Sequence, residues 1–325
     1  MAVSTRSSVL RLVGHKVPDT RPGSHLIPRI DVEVLPRARL WDLLDGATRC
    51  RAIVVSAPAG FGKTVLCASW LAERPPSGRV AWVTIDAGDR QPARFWSYAQ
   101  DALFGPGSQS KLAGSDKAER EFFLNRLVAD LAVGAEPVTL VLDDVHEIVG
   151  SPTADDLDYL LRHAPPTFHG ILVGRRSPGL HLARLRLAGE LGTIGPGDLA
   201  ATQEEARRFL RMQGITVGDD DLEQLMQRTE GWIGGLRIAV LSAAGARTAH
   251  DLLPHASGEE ELATEYIRDE FLAEHPAEIR EFLQALHQRV VVVRRRLKDL
   301  RVGLEGGVGA ARRRGAETLD VCLRN

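Results

Sequence analysis

Residues 51–73 read RAIVVSAPAGFGKTVLCASWLAE, and this passage decides the fold. RAIVVSA (51–57) is a short apolar run rich in β-branched residues, which predicts a buried strand. KTVLCASWLAE (63–73) repeats its apolar residues at helical spacing. Between and overlapping them lies the turn Ala57-Pro58-Ala59-Gly60-Phe61-Gly62-Lys63-Thr64. A phosphate chain needs inward-pointing backbone N–H groups, the positive end of a helix dipole, an ammonium group and a hydroxyl for Mg²⁺. Gly60 and Gly62 allow the close approach, Lys63 reaches the β- and γ-phosphates, and Thr64 supplies the metal-binding hydroxyl. Ala57 stands where the strict eight-residue pattern has its first glycine, and the strand–turn–helix context compensates for it. The competing reading is a chance glycine-rich turn before a helix. The motif predicts binding of ATP or a close relative together with Mg²⁺.

The pattern continues outward on both sides. An Arg-rich helical stretch, LPRARLWDLL, begins at Leu35. RVAWVTID (79–86), VTLVLDD (138–144) and GILVGRR (170–176) read as further strands. ARFWSYAQDAL (93–103), AEREFFLNRLVADLA (118–132) and TADDLDYLLRH (153–163) read as helices between them. Continuous apolar strands alternating with helices imply a parallel sheet covered on both faces. After Gly197 the chain turns helical, with ATQEEARRFLRM (201–212) opening on Thr202 and Glu205 at capping-box spacing. DDLEQLMQRTEGW (220–232), GGLRIAVLSAAGA (234–246) and GEEELATEYIRDEFLAEHPAEIREFLQAL (258–286) continue it. The predicted fold is therefore α/β: a P-loop NTPase with a parallel β-sheet flanked by helices, followed by an all-α helical lid domain.

Three further segments carry candidate chemistry. VTLVLDDVHEI (138–148) ends a buried strand in Asp143-Asp144. One carboxylate then lies near Mg²⁺ and the next near an attacking water. Asp143 is assigned to the metal, through water, and Asp144 to the general base, although the two could exchange roles. A polar strand end capping the next turn is the plainer alternative. His146 either orients a carboxylate or is an ordinary loop histidine. Arg175, with Arg176 beside it, ends the GILVGRR strand and could sense the γ-phosphate; a solvated turn before Pro178 is the competing reading. In RTEGWIGGLRIA (228–239), Trp232 is either a lid over the nucleotide or part of a tight helix-packing corner.

Composition narrows the class. The chain has 325 residues, 44% hydrophobic and 26% charged, the profile of a globular protein with a sizeable core. Its formal net charge of −2 gives no global basic field for nucleic acid. Residues 289–325 are the exception, with ten Arg or Lys against four carboxylates. Cys50, Cys67 and Cys322 include no CxxC pair, which suits reduced thiols, and the histidines show no metal-ligand spacing. No apolar run approaches the roughly 20 residues of a membrane span, and the start has no signal-peptide pattern. The expected location is cytoplasmic, with no membrane partner.

Several segments together resemble one family, the MalT-like signal-transduction ATPases that head large LuxR-type transcriptional regulators. They are SAPAGFGKT (56–64) with Trp70, VAWVTIDAGDRQPARFWSYAQDAL (80–103), LVLDDVHEI (140–148) and SPGLHLARLRLAGEL (177–191). DLAATQEEARRFL (198–210), RTEGWIGGLRIAVLS (228–242) and the leading LPRARLWDLLD (35–45) complete the set, and Ala57 is itself typical of that family. The resemblance covers roughly residues 24–286. It implies a slow nucleotide switch, with ADP held at rest and self-association in the ATP state, serving a DNA-binding domain farther along the chain. It also implies the partition 1–23 flexible segment, 24–196 P-loop ATPase domain, 197–250 lid domain and 251–288 start of a winged-helix or helical region. Residues 289–325 depart from the family's text. They are expected to be a non-native, frameshifted end, or else a basic tail that binds nucleic acid by charge. Such regulators are usually several times longer, so the sensor repeats and DNA-reading helix are expected to be missing here. Alternatives to the switch are a metabolic P-loop kinase or motor ATPase, and a nucleic-acid binder acting through the basic tail.

Overall fold

The computed structural model describes residues 26–30, 33–46, 50–105, 116–134, 136–243 and 245–256, with single positions at 262, 265, 266 and 270. The expected segment 1–23, most of the 258–286 helix and the 289–325 tail lie outside the described residues. By compactness the chain divides into Met1–Gly258 and Glu259–Asn325, and the elements below all belong to the first unit.

Five strands form one wholly parallel sheet: β1 (Ala52–Ser56), β2 (Arg79–Thr84), β3 (Val138–Asp143), β4 (Phe168–Gly174) and β5 (Leu191–Ile194). Their order is β2-β3-β4-β1-β5. Four of the five were legible as β-branched apolar runs. β5 was not: it is four residues long (LGTI), and only Ile194 is fully buried, so it carries no strong apolar signal. The strand expected at 170–176 begins and ends two residues earlier, and Arg175 lies past its end.

Side-chain alternation along the strands feeds two cores, one on each face of the sheet. Ala52 and Val54 of β1 and Leu140 and Leu142 of β3 face helices α3 (Pro92–Phe104), α4 (Lys117–Val133) and α5 (Pro152–His163). Ile53, Val55, Trp82 and Val141 face the other way, onto α1 (Ala38–Asp45) and α2 (Lys63–Glu73). Because both faces are covered, every position of β3 is buried. The short helices α6 (Ala183–Leu187) and α7 (Pro196–Leu199) flank β5.

A third core is built by α8 (Gln203–Met212), α9 (Asp219–Thr229), α10 (Ile233–Ser242) and the 3₁₀ turn His250–Ala256. The capping box opening α8 is formed, with Glu205 N–H donating to Thr202 Oγ1 at 3.2 Å and Thr202 N–H to Glu205 Oε2 at 3.0 Å. Leu35, from the segment preceding α1, is buried in this third core.

Candidate nucleotide-binding site

All strands point the same way, so their carboxyl ends share one edge, where ligands bind in open α/β sheets. The turn after β1 lies there beside the ends of β4 and β3. Ala57 donates its N–H to Gly174 O at 3.3 Å, prolonging the β1–β4 ladder, and its methyl is buried with the α1/α2 core. An alanine fits where the strict motif has glycine because the backbone here is still strand-like and needs no positive φ. Gly60 and Gly62 do need it, at φ +78° and +76°, and Gly62 caps α2 in the left-handed region. Pro58, Ala59 and Phe61 complete the turn. Lys63, buried at the first helical position, donates from Nζ to Pro58 O at 3.0 Å, so its ammonium folds back over the loop.

Thr64 Oγ1 donates to Asp143 Oδ2 at 2.9 Å, with Oδ1 at 3.2 Å. The last residue of β3 and the second of α2 meet although 79 positions separate them. Asp143 is 3% exposed. Burial, reinforced by the neighbouring Asp144 charge, pushes its pKa up to about 7, against the opposing hydrogen bond from Thr64. A dry carboxylate beside a hydroxyl is a hard oxygen donor pair, and Mg²⁺ typically takes one or two such protein ligands, completing its shell with water and phosphate oxygens. The residues present therefore fit Mg²⁺. Burial likewise raises the Cys67 thiol, one turn along α2, which keeps it protonated and inert.

Asp144 adopts the left-handed region at φ 59°, and its N–H donates to Asp143 Oδ1 at 3.1 Å. That turn separates the pair: Asp143 points into the dry strand end, while the Asp144 side chain is 43% exposed. His146 is buried, with Nδ1 3.8 Å from Asp144 Oδ1 and Nε2 3.8 Å from Glu147 Oε1. Arg175 directly follows Gly174, half-buried, and Arg176 is exposed.

The helical segment closes onto the same loop. Trp232 Nε1 donates to Ala59 O at 3.1 Å, and Gly234 N–H donates to Gly60 O at 2.9 Å. A Cβ placed on Gly60 would sit 2.6 Å from Trp232 Nε1, so only glycine admits the indole there. The indole thus lies against the phosphate loop's backbone.

Sequence reasoning missed a second contact between the two parts. Arg37 donates to Leu199 O at 2.9 Å, Ala200 O at 3.0 Å and Glu205 Oε2 at 2.9 Å. Arg39 donates to Glu205 Oε1 at 3.0 Å and to Ala200 O at 2.7 Å. Burial alone would raise the Glu205 pKa, but these guanidinium donors outweigh it and hold it below the usual carboxylate value. LPRARL and the capping box are each visible in the sequence; that they meet across 168 positions is not.

Fold and site together define a P-loop NTPase: a parallel sheet, a glycine-rich loop at the end of β1, and a threonine–aspartate pair joining that loop to β3. No family model matches the chain. Among curated proteins it is similar to the serine/threonine-protein kinase PknK of Mycobacterium tuberculosis, 31% identical over 259 residues, covering 77% of this chain and 23% of that one. It is also similar to the HTH-type transcriptional regulator MalT of Klebsiella pneumoniae, 30% identical over 256 residues, covering 76% of this chain and 28% of that one. Over this stretch the chain is homologous to the MalT-like signal-transduction ATPases. It spans about a quarter of the length of these curated relatives. Among solved structures it is similar to a signal-transduction ATPase with a tetratricopeptide-repeat sensor from Pyrococcus horikoshii, with TM-score 0.42, 16% identity and coverage of 66% and 30%. The ADP form of the Aeropyrum pernix ORC2 protein is another, with TM-score 0.42, 17% identity and 73% of each chain covered. Among the described residues, no helix is long and apolar enough to cross a membrane.

Proposed function

We propose that this chain is a nucleotide-dependent regulatory switch: it holds ATP or ADP at the 57–64 loop and hydrolyses ATP slowly. The observation that carries the reading is the pair of hydrogen bonds from Trp232 and Gly234 to carbonyls of the phosphate loop itself. A change at the phosphates moves the carbonyls on which the helical segment rests, so occupancy and the position of that segment are coupled.

In this reading the loop amides and Lys63 bind the phosphates. Lys63 exchanges its bond to Pro58 O for the phosphate oxygens. Thr64 and Asp143 hold Mg²⁺, which when bound neutralises phosphate charge and orients the terminal group. Asp144, exposed at its turn, accepts a proton from the attacking water, and His146 fixes the orientation of that carboxylate. Arg175 stands beside the loop to read the terminal phosphate. Trp232 covers the bound nucleotide from the helical side. Release of the helical segment in the ATP state would free its loop-facing surface for self-association. In this reading DNA binding is not a task of the nucleotide-binding stretch.

The test is to purify the full chain, release any nucleotide by denaturation and identify it, then follow phosphate release from ATP with Mg²⁺. Bound ADP with turnover slower than about one per minute, far below the usual enzymatic range, is expected. Fast turnover with a small-molecule acceptor would replace the switch by a metabolic kinase. A native chain that neither retains nor binds nucleotide overturns the reading.

A further inference from the structure

The turn between β3 and α5 holds Asp144 in a left-handed conformation, φ 59°, that a non-glycine residue seldom adopts. Such backbone persists where the surroundings over-determine it. Here they come from the segment TIDAGDRQPARFW (84–96), which follows β2. Ile85 N–H donates to Asp143 O at 2.9 Å, just before the Asp144 turn. Arg90 Nη1 donates to Glu147 O at 3.0 Å and to Val149 O at 3.1 Å, within it. Thr153 Oγ1 donates to Asp89 O at 2.8 Å, just beyond it. The stretch 143–153 is thus gripped at its start, its middle and its end by one neighbouring loop.

That loop is itself braced. Gly88 N–H donates to Asp86 Oδ1 at 2.7 Å, and Asp86 N–H to Asp89 Oδ2 at 2.9 Å. Arg94 from α3 pairs with Asp86 at 3.0 Å and with the fully buried Asp89 at 3.3 Å. On the β4 side, a Cβ placed on Gly174 would sit 3.2 Å from Val145 Cγ1 and 3.5 Å from His146 N, so the turn is closely packed there. The bonds to Asp143 O and from Thr153 secure the ends of the stretch. Arg90 reaches between them, and its Nη1 has one hydrogen for each of the two carbonyls. A planar guanidinium fixes the spacing of two acceptors, which an ammonium on a flexible stem does less well.

We propose that Arg90 is a positioning residue for hydrolysis: it holds the 145–149 turn so that Asp144 is presented to the attacking water. Arg90 acts through the backbone of that turn and touches neither nucleotide nor water. The role rests on Asp144 being the general base, as in the reading above, and adds the residue that aims it. Small displacements of a base are costly to a reaction, because proton transfer needs hydrogen-bond reach in a fixed geometry.

The experiment follows hydrolysis of bound ATP in a single turnover with Mg²⁺, beside the affinities for ATP and ADP, in the full chain. Wild type is compared with Arg90→Ala, Arg90→Lys, Asp144→Asn and the double variant Arg90→Ala/Asp144→Asn. Arg90→Ala is expected to slow hydrolysis about tenfold, with both affinities within about twofold of wild type and Arg90→Lys recovering part of the rate. The double variant should hydrolyse no more slowly than Asp144→Asn alone, since misplacing a base that is already removed has no further effect. If Arg90→Ala does not fold, the same cycle is run with Arg90→Lys. An equal slowing by the Arg90 variant in both backgrounds, or rate, affinity and melting temperature falling together, makes the arginine merely structural. Wild-type hydrolysis in Arg90→Ala beside a slowed Asp144→Asn overturns the positioning role and leaves the base standing. Wild-type hydrolysis in Asp144→Asn, or no hydrolysis by the wild type, overturns both.

Discussion

At the carboxyl end of the sheet, β3 is buried at all six positions, and the frame behind the phosphate loop is apolar on both faces. Across the seam to the helical segment, beside the apolar insertion of Leu35, stands a set of directional polar contacts: Trp232 and Gly234 on loop carbonyls, Arg37 and Arg39 on Glu205. Apolar burial is non-directional and sums over the whole area, so the sheet opens only by unfolding. Directional polar contacts exchange readily with water, at a net cost of about 1 kcal/mol per neutral hydrogen bond. A seam of that kind lets two parts separate while each keeps its own core, as interfaces within multi-part chains commonly do.

The largest effect should appear on the sheet side. Trp82 is 1% exposed, and Trp82→Ala should cost about 3–5 kcal/mol in denaturant unfolding. The loss should be the same with and without nucleotide up to the ligand's own stabilisation, because the frame is not what moves. A smaller loss than from any seam variant would invert the contrast.

Lys63→Ala tests the site held by that frame. Removing the ammonium should weaken ATP and ADP by about a hundredfold or more, close to the upper range for one charge-assisted contact, while the apo protein melts near the wild-type temperature. Retained micromolar binding would count decisively against the loop.

Glu205→Ala probes the seam directly. Both guanidinium groups would lose their carboxylate, but Arg37 would keep Leu199 O and Ala200 O, so about 2 kcal/mol is expected rather than the full penalty for breaking a buried pair. Calorimetry should then show the sheet and the helical segment melting in separate transitions. A single cooperative transition in the variant would mean that the seam is fused by something other than these bonds.

Acid should reproduce part of that change. The folded-state pKa of Glu205 lies below its ordinary 4.5, so its contribution is complete above that value and fades as pH falls through the lower, folded pKa. The gap in melting temperature between wild type and Glu205→Gln should be constant from pH 7 to about 5 and shrink below about 4.5. A gap that widens on acidification would reverse the sign assigned to the pair.

The same division decides what the sequence revealed. Most of the frame was legible because β1 to β4 are local apolar runs, and the loop because strand, glycines, Lys63 and Thr64 are contiguous. Asp143 was readable as the polar end of an apolar strand. The seam was not, since Arg37, Glu205 and Trp232 meet partners far along the chain and no local period records such a meeting. β5 escaped for a related reason: its four residues gain their place from pairing with β1 rather than from their own pattern.

Trp232 gives the finest test, because its indole belongs to the seam while touching the loop. Trp232→Phe keeps most of the ring but deletes the donor to Ala59 O, so apo stability should drop by about 1 kcal/mol or less. If the seam works as a hinge, that small loss should fall mainly on the closed state. Nucleotide exchange, measured by release of a fluorescent ADP analogue, should then accelerate several-fold more than the change in stability of the sheet would suggest. An unchanged release rate would mean that the indole only fills space above Gly60, and the coupling between loop and helical segment would rest on Gly234 and the phosphates alone.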